Sequence, residues 1–343
     1  MQKLNLAPEL QNQIDAAANI LDTGGTVAFP TETVYGLGAD ATNSAAVHKI
    51  YTIKQRPIDH PLIVHIGNIN DLDHWAQNIP DSAWKLAHHF WPGPLTLILQ
   101  RSKYIQDFVT GGQNTVGIRM PAHPVALALL EVIGPKKALA APSANRFGCI
   151  SPTTAQHVQL ALGSRIDMII DGGACTVGLE STIISFHDEA PKILRPGGIT
   201  INQIAAVLST SIDLASLHPT TVRVPGSLPA HYAPATPLRL IPRTQIWQQA
   251  RILSERNFRI IVITGSDESS DKLDNPLIMH FMMPNDPVAY GRQLYAKLHQ
   301  ADQAAYDYLL IETPPDHPEW LAITDRLQRA SHHFTRPSIE ETS

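Results

Sequence analysis

The hydrophobic positions in the first part of the chain follow an alternation of short strands and amphipathic helices. Short apolar or β-branched runs predict strands at residues 26–29, 62–66, 95–99, 115–118, 139–141, 168–170, 182–186 and 193–194. Apolar residues three and four apart predict a first helix that ends at Gly24 and Gly25, and further helices at residues 44–53, 81–90, 124–133, 153–162 and 201–208. Some neighbouring strands have no helix between them, so we expect a twisted, mixed open sheet with helices.

A second, shorter alternation follows a region rich in Ser, Thr and Pro. Strands are predicted at residues 238–241, 259–264 and 308–312, and helices at residues 245–257, 288–304 and 320–331. This pattern indicates a smaller Rossmann-like α/β domain, but no Gly-x-Gly-x-x-Gly follows its first strand, so dinucleotide binding is not supported. The predicted boundaries are a catalytic domain at residues 1–208, a linker or lid at 209–237 and a C-terminal domain at 238–343.

Composition limits the class of protein. The 343 residues are 43% hydrophobic and 17% charged, which is typical of a globular protein with two domains. The formal net charge of -5 argues against a protein that coats nucleic acid through bulk charge, although a local basic groove stays open. No apolar run approaches the roughly 20 residues that span a bilayer, and the start has no signal-peptide pattern, so we expect a cytoplasmic protein. The two cysteines and the histidines lack zinc-like spacing, so no protein-bound metal is predicted.

Two polar motifs stand where an apolar element meets a turn flanked by proline. Lys54 and Arg56 follow a predicted helix, and we expect both on an exposed loop. Ser143 and Asn145 follow a predicted strand, at the kind of strand end where α/β sheets bind ligands. Two cations beside a hydroxyl and an amide suit a polyphosphate. The alternative is two surface cations and a polar turn.

Longer blocks around these motifs occur in a fixed order. They are GGTVAFPTETVYGLG at residues 24–38, RPIDHPLIVH at 56–65, WPGPLT at 91–96, VGIRMP at 116–121, STII at 181–184 and HYAP at 231–234. From about residue 22 to about residue 195, the chain resembles the YrdC-like family of L-threonylcarbamoyladenylate synthases, and HYAP resembles the inter-domain segment of its two-domain branch. The resemblance implies a nucleotidyltransferase that makes threonylcarbamoyl-AMP and pyrophosphate from L-threonine, bicarbonate and ATP. A downstream transferase complex would use that product to modify adenosine in tRNA.

The resemblance also implies roles for individual residues. Lys54 and Arg56 would be catalytic through charge neutralisation, and magnesium would arrive with ATP, bound mostly by phosphate oxygens and water. Arg119 would take the threonine carboxylate through its planar fork, and neither Glu32 nor Glu180 is assigned as a base. The implied ATP-binding residues are Lys54, Arg56, Thr115, Ser143, Asn145, Ser151, Arg195 and Tyr232. The implied L-threonine-binding residues are Thr31, His65, Arg119, Ala141 and Ser181.

Alternatives exist at each level. His65 could be a histidine satisfied within the core, Ala141 plain strand packing, and Arg195 an arginine that closes a strand edge. The fold is also associated with double-stranded RNA binding, which stays open, whereas carbamoyl transfer to another acceptor is disfavoured because the acylphosphatase and zinc-finger regions of such proteins are absent. The linker departs from the family pattern, since VPGSL stands at residues 224–228 where Ser-Pro-Gly-Met and basic residues are usual.

Overall fold

The computed structural model describes residues 7–187, 190–214, 221–265 and 275–332. The chain divides into two compact units, and the segment predicted as a linker contributes to both. The N-terminal unit comprises Met1–Phe147 and Ser151–Ser227, and the C-terminal unit comprises Gly148–Ile150 and Leu228–Ser343. The first carries a large mixed sheet and the second a small parallel sheet, so the predicted fold class is confirmed.

The N-terminal unit is an open sheet whose strands run in both directions. Its described helices are α1 (Pro8–Asp22), α2 (Ser44–Lys54), α3 (Leu72–Trp75), α4 (Asp81–Phe90), α5 (Asp107–Thr110), α6 (Pro124–Ile133), α7 (Ala155–Ala161) and α8 (Ile201–Leu208). Its described strands are β1 (Val27–Phe29), β2 (Gly36–Asp40), β3 (Ile63–His65), β4 (Ala76–Gln77), β5 (Leu95–Arg101), β6 (Thr115–Arg119), β7 (Leu139–Ala140), β8 (Met168–Ile169), β9 (Thr182–Ser185), β10 (Lys192–Arg195) and β11 (Asp213–Leu214). They follow the order β11-β10-β9-β5-β6-β3-β7-β2-β1-β8, with β4 paired to β5.

Strand β2 is absent from the sequence prediction, and its glycines explain why. The strand reads GLGAD, without the β-branched or aromatic residues that mark a strand. A Cβ atom on Gly38 would lie 2.7 Å from the ring of Phe29 on β1, the neighbouring strand. Only glycine leaves room for that ring at position 38. Glycine, in turn, lacks the side chain that would mark a strand in the sequence.

The central strands have one apolar face and one polar face. Alternate residues of β5 and β6, such as Leu97 and Ile118, enter the main core. The residues between them point the other way, and on β6 these are Thr115, Gly117 and Arg119. Helices α2 and α4 pack buried residues against the apolar face. The polar face is therefore the one available to bind ligands.

The C-terminal unit is a parallel α/β layer. Its described elements are β12 (Leu238–Ile241), α9 (Ile246–Glu255), β13 (Ile260–Thr264), β14 (Ile278–Met282), α10 (Pro287–Gln303), β15 (Tyr308–Glu312) and α11 (Leu321–Ser331), with strand order β12-β15-β13-β14. All of them except β14 correspond to predicted elements; β14 reads IMHFM and shows no clean alternation of buried and exposed positions. None of the helices that the structure describes combines the length and apolar character needed to cross a bilayer.

Candidate active site

The polar face of the N-terminal sheet gathers most of the residues predicted to bind ligands. His65 on β3 lies directly opposite Arg119 on β6, and the next residue after β7, Ala141, donates its amide to the Ile63 carbonyl at 2.9 Å. Residues 142–145 continue from Ala141 into a loop that includes Ser143 and Asn145. Strands β3, β6 and β7 therefore place the predicted amino-acid pocket and the predicted phosphate loop next to each other.

Lys54 fastens that loop to the end of helix α2. The helix begins at the Asn43 cap, whose side chain accepts from the Ala46 amide, and ends at Gln55 in the left-handed region with φ 54°. Lys54 Nζ donates to the backbone carbonyls of Ser143 and Asn145, both at 2.5 Å. The sequence prediction of an exposed loop for Lys54 and Arg56 is wrong, because the two side chains are only 1% and 7% exposed.

Arg56 is buried against the turn that follows it. Its Nη2 donates to the Pro61 carbonyl at 2.8 Å, and its guanidinium carbon lies 5.4 Å from the centre of the Phe147 ring. Backbone carbonyls thus accept hydrogen bonds from both buried cations. Two cations near the Ser143 hydroxyl and the Asn145 amide suit a polyphosphate.

Arg119 is held by three different acceptors. Its Nη2 donates to Glu32 Oε1 at 2.6 Å, its Nη1 to Thr33 Oγ1 at 2.9 Å, and its Nε to the Gly93 carbonyl at 3.3 Å. Glu32 Oε2 accepts the Ala122 amide at 2.9 Å. The ion pair is buried, and no motif in the sequence indicated that Glu32 and Thr33 would contact Arg119.

The hydroxyl of Thr31 is used within its own turn. It donates to the Val34 carbonyl at 2.6 Å and lies 2.8 Å from Thr33 Oγ1, while the amides of Thr33 and Val34 both approach it at 3.2 Å. Thr31 is 1% exposed. This loop between β1 and β2 therefore presents Thr33 and Glu32 toward Arg119.

His65 is a neutral residue on the polar face. Its Nδ1 lies 3.3 Å from the Ile63 carbonyl, which can only accept, so Nδ1 carries the proton and Nε2 is an acceptor. Burial, and then the Arg119 guanidinium, lower the pKa of His65 to about 3. The site thus pairs a neutral acceptor with the cation of Arg119.

Ser181 and Arg195 form a second polar group on the same face. Arg195 Nη2 donates to the Ser181 carbonyl at 2.8 Å and to its hydroxyl at 3.1 Å, and Ser181 Oγ lies 2.7 Å from Thr96 Oγ1. Thr96 is completely buried and was missed as a site residue. A single threonine inside the apolar strand LTLIL was the signal that could have found it.

Residues 221–227, called the strap here, cover part of this face. Val222 and Val224 pack in an apolar cluster with Ile63, Ile98 and Ile183, which lie on β3, β5 and β9. The Pro225 carbonyl accepts from Arg195 Nη1 at 3.0 Å. The segment predicted as a linker or lid therefore packs, in this part, on the sheet.

The remaining predicted residues fall in three places. Thr115 is buried on β6 with Arg119, and Ser151 Oγ donates to Glu180 Oε1 at 2.5 Å in a buried pair. Tyr232 lies in the C-terminal unit, where its ring stacks on Tyr295 at 6.0 Å and meets the guanidinium of Arg326 at 5.0 Å. Its predicted contact with the nucleotide stays a prediction. Within the described ranges, no group of three or more His, Cys, Asp or Glu side chains could hold a metal ion.

Two family models match the chain in succession. A model described as telomere recombination matches residues 19–197, and a model of the C-terminal domain of threonylcarbamoyl-AMP synthase matches residues 199–332. The two matches meet just before helix α8. Together they span nearly all of the described chain.

Similar proteins and structures cover the chain almost from end to end. Threonylcarbamoyl-AMP synthase of Pyrococcus abyssi is 37% identical over 93% of this chain and 94% of its own length. That of Bacillus subtilis is 41% identical over 93% of each chain. The solved structure of P. abyssi Sua5 complexed with L-threonine has a TM-score of 0.85 at 36% identity, covering 94% of this chain and 95% of that one.

Proposed function

The chain belongs to the threonylcarbamoyl-AMP synthase family, and we propose that its buried polar face joins L-threonine, bicarbonate and ATP into threonylcarbamoyl-AMP and pyrophosphate. The observation that carries this proposal is the arrangement of its cations. Lys54 contacts the loop at residues 143–145, and Arg56 packs on Phe147 shortly after that loop. The loop continues from β7, which pairs with the strand of His65, and His65 lies opposite Arg119. One face therefore offers a polyphosphate site adjoining an amino-acid site.

The amino-acid end suits L-threonine in particular. A guanidinium has five N–H donors, and three of those on Arg119 are used, so one N–H on each Nη atom is left for a carboxylate. His65 Nε2 can accept from the ligand's ammonium or hydroxyl group. Ala141 adds only a methyl group, which lets the ligand approach the strand. The P. abyssi relative was solved with this amino acid bound.

The reaction needs positioning and charge neutralisation more than a nucleophile from the protein. The threonine amine first adds to the carbon of bicarbonate with loss of water, and this gives an N-carboxylate. One oxygen of that new carboxylate attacks the α-phosphorus of ATP, and the bond to pyrophosphate breaks, with the electron pair leaving on pyrophosphate. Lys54 and Arg56 would stabilise the charge that shifts onto the departing phosphates.

Other parts of the account follow from this chemistry. Magnesium would enter on the phosphates of ATP, since Glu32 and Glu180, the buried carboxylates near the site, already accept hydrogen bonds from protein donors. The adenylate product is a mixed anhydride, so its consumer must be a transferase that moves the threonylcarbamoyl group to a nucleophile, in this family to adenosine in tRNA. We propose that the protein acts in the cytoplasm, where ATP, bicarbonate and tRNA occur together.

A substrate-omission assay tests the proposed function. The protein is incubated with magnesium, ATP, L-threonine and bicarbonate, and pyrophosphate release is measured in the full mixture and with each substrate left out. We expect release only when all three are present. Tight RNA binding that weakens steeply with salt, without any turnover of ATP, would instead favour the RNA-binding alternative.

A further inference from the structure

The loop at residues 31–34 positions the guanidinium of Arg119. We propose that Glu32 and Thr33 are positioning residues that fix the direction of the Arg119 fork, and so determine how tightly the carboxylate of the amino-acid substrate is bound. This inference rests on the proposed function, because it takes Arg119 as the carboxylate ligand. It adds two residues that touch the arginine rather than the substrate.

The direction of each hydrogen bond in this loop follows from chemistry. Arg119 can only donate, so Thr33 Oγ1 accepts from Nη1. The Val34 carbonyl can only accept, so Thr31 must donate to it. The proton between the two hydroxyls, 2.8 Å apart, therefore belongs to Thr33. The result is a one-way chain from Arg119 through Thr33 and Thr31 to the Val34 carbonyl, in which each bond strengthens the next.

Glu32 fixes the other Nη atom and ties it to the backbone. One carboxylate oxygen accepts from Arg119 Nη2 at 2.6 Å and the other from the Ala122 amide at 2.9 Å. Because Ala122 comes three residues after Arg119, the carboxylate spans the arginine and its own chain. With the Gly93 carbonyl on Nε, each of the three guanidinium nitrogens has a protein acceptor. The plane of the guanidinium is fixed before the ligand arrives, which reduces the entropy cost of binding.

Two substitutions separate this positioning from general stability. Thr33→Val keeps the shape of the side chain and removes the acceptor for Nη1, while Thr31 still accepts the amides of Thr33 and Val34, so the turn is retained. Thr33→Ser restores the hydroxyl. Glu32→Gln keeps one oxygen, so either Arg119 or Ala122 loses its acceptor. The matched control is Thr26→Val, which removes another buried threonine hydroxyl, one that donates to Asp167.

Calorimetric binding of L-threonine and of L-threoninamide, which lacks the carboxylate, is the test. We expect Thr33→Val to weaken L-threonine binding about threefold to tenfold and Glu32→Gln on the order of tenfold to a hundredfold, with L-threoninamide affinity little changed. Thr33→Ser and Thr26→Val should bind L-threonine like the unaltered protein. Arg119→Lys shows how much L-threonine affinity is lost when the planar guanidinium fork itself is removed.

The outcomes distinguish the two proposals. L-threonine affinity that is equal in Thr33→Val and the unaltered protein overturns the positioning role and leaves the proposed function standing. Equal weakening of both ligands overturns it as well, because that result indicates a damaged pocket. An unaltered protein that binds L-threonine but releases no pyrophosphate contradicts the proposed function alone.

Discussion

Buried charges and hydroxyls set the properties of the site at the scale of single residues. Lys54, Arg56 and Arg119 are all at least nine-tenths buried, and protein oxygens accept hydrogen bonds from each of them. Sequence motifs singled out all three positions, but Lys54 and Arg56 were expected on an exposed loop, because motif spacing carries no information on which side chains the fold places over them. The contacts of Thr33 and Thr96 were missed for the same reason.

Removing the Lys54 ammonium tests the phosphate end of the site. We expect Lys54→Met to lower kcat by on the order of 10²–10³, the range for loss of one electrostatic stabiliser. The variant should also be less stable, since two buried carbonyls lose their donor at about 1–3 kcal/mol each. Lys49→Met is the matched control on the same helix, because Lys49 donates to the Gly24 carbonyl away from the site. Near-normal turnover of folded Lys54→Met would rule out the phosphate role.

His65 links stability to pH. Its pKa lies at about 3 in the folded protein instead of the usual 6.5, mainly because of burial. The unfolded chain therefore takes up the proton first, and stability present above about pH 6.5 is lost as the pH falls toward 3. We expect this group to lower the free energy of unfolding by up to about 1.4 kcal/mol per pH unit in that window. Urea unfolding of the unaltered protein and His65→Gln measures this, and equal slopes against pH would contradict it.

At the scale of elements, strands and loops bring the site residues together. The predicted strands and helices are present, because their apolar periodicity reflects real burial. Some described elements were not predicted: β4, β11, α3 and α5 are only two to four residues long, β2 contains the glycine that Phe29 requires, and β14 has an irregular pattern. The strap was predicted as linker because its Val, Pro and Gly residues show no periodicity, although Val222 and Val224 pack on the sheet.

Two hydrogen bonds of the Gln113 side chain connect the strap to the N-terminal unit. Its side chain accepts the Arg223 amide at 2.7 Å and donates to the Arg223 carbonyl at 3.0 Å, as a neighbouring strand would. We expect Gln113→Ala to speed hydrogen exchange in residues 221–227 about tenfold, without a comparable loss of global stability. Gln106→Ala is the control, because Gln106 is exposed and its side chain donates to the nearby Lys103 carbonyl. Unchanged exchange in the strap would show that the Gln113 hydrogen bonds do not hold it in place.

At the scale of the whole molecule, the two units differ in how far the sequence explains them. The N-terminal unit contains the polar face, and sequence motifs predicted both that face and the fold class of the unit. Tyr232 packs within the C-terminal unit, so the hypothesis that residues 231–234 cover the nucleotide has to be tested without damaging that packing. Within the segment predicted as a linker or lid, residues 215–220 lie outside the described residues.

Ligand-dependent protection tests the lid hypothesis. We expect proteolysis between residues 221 and 237 to slow when ATP and L-threonine are both added, because a segment ordered by ligands is cleaved less often. Tyr232→Phe keeps the ring on Tyr295 and removes the hydroxyl, and it should lower turnover if that hydroxyl meets the nucleotide. If the rate of cleavage is the same with and without ligands, and Tyr232→Phe is fully active, the segment is only a tether between the two units.

Isotopic labelling of the product tests the central claim most directly. The protein is incubated with magnesium, ATP, L-threonine and ¹³C-labelled bicarbonate, and the adenylate is analysed by mass spectrometry. The account predicts threonylcarbamoyl-AMP whose mass increases by that of the label, and whose formation falls steeply in Lys54→Met. An adenylate that forms without incorporating the label, or forms equally well in that variant, would contradict the assignment of this buried face as the synthase site.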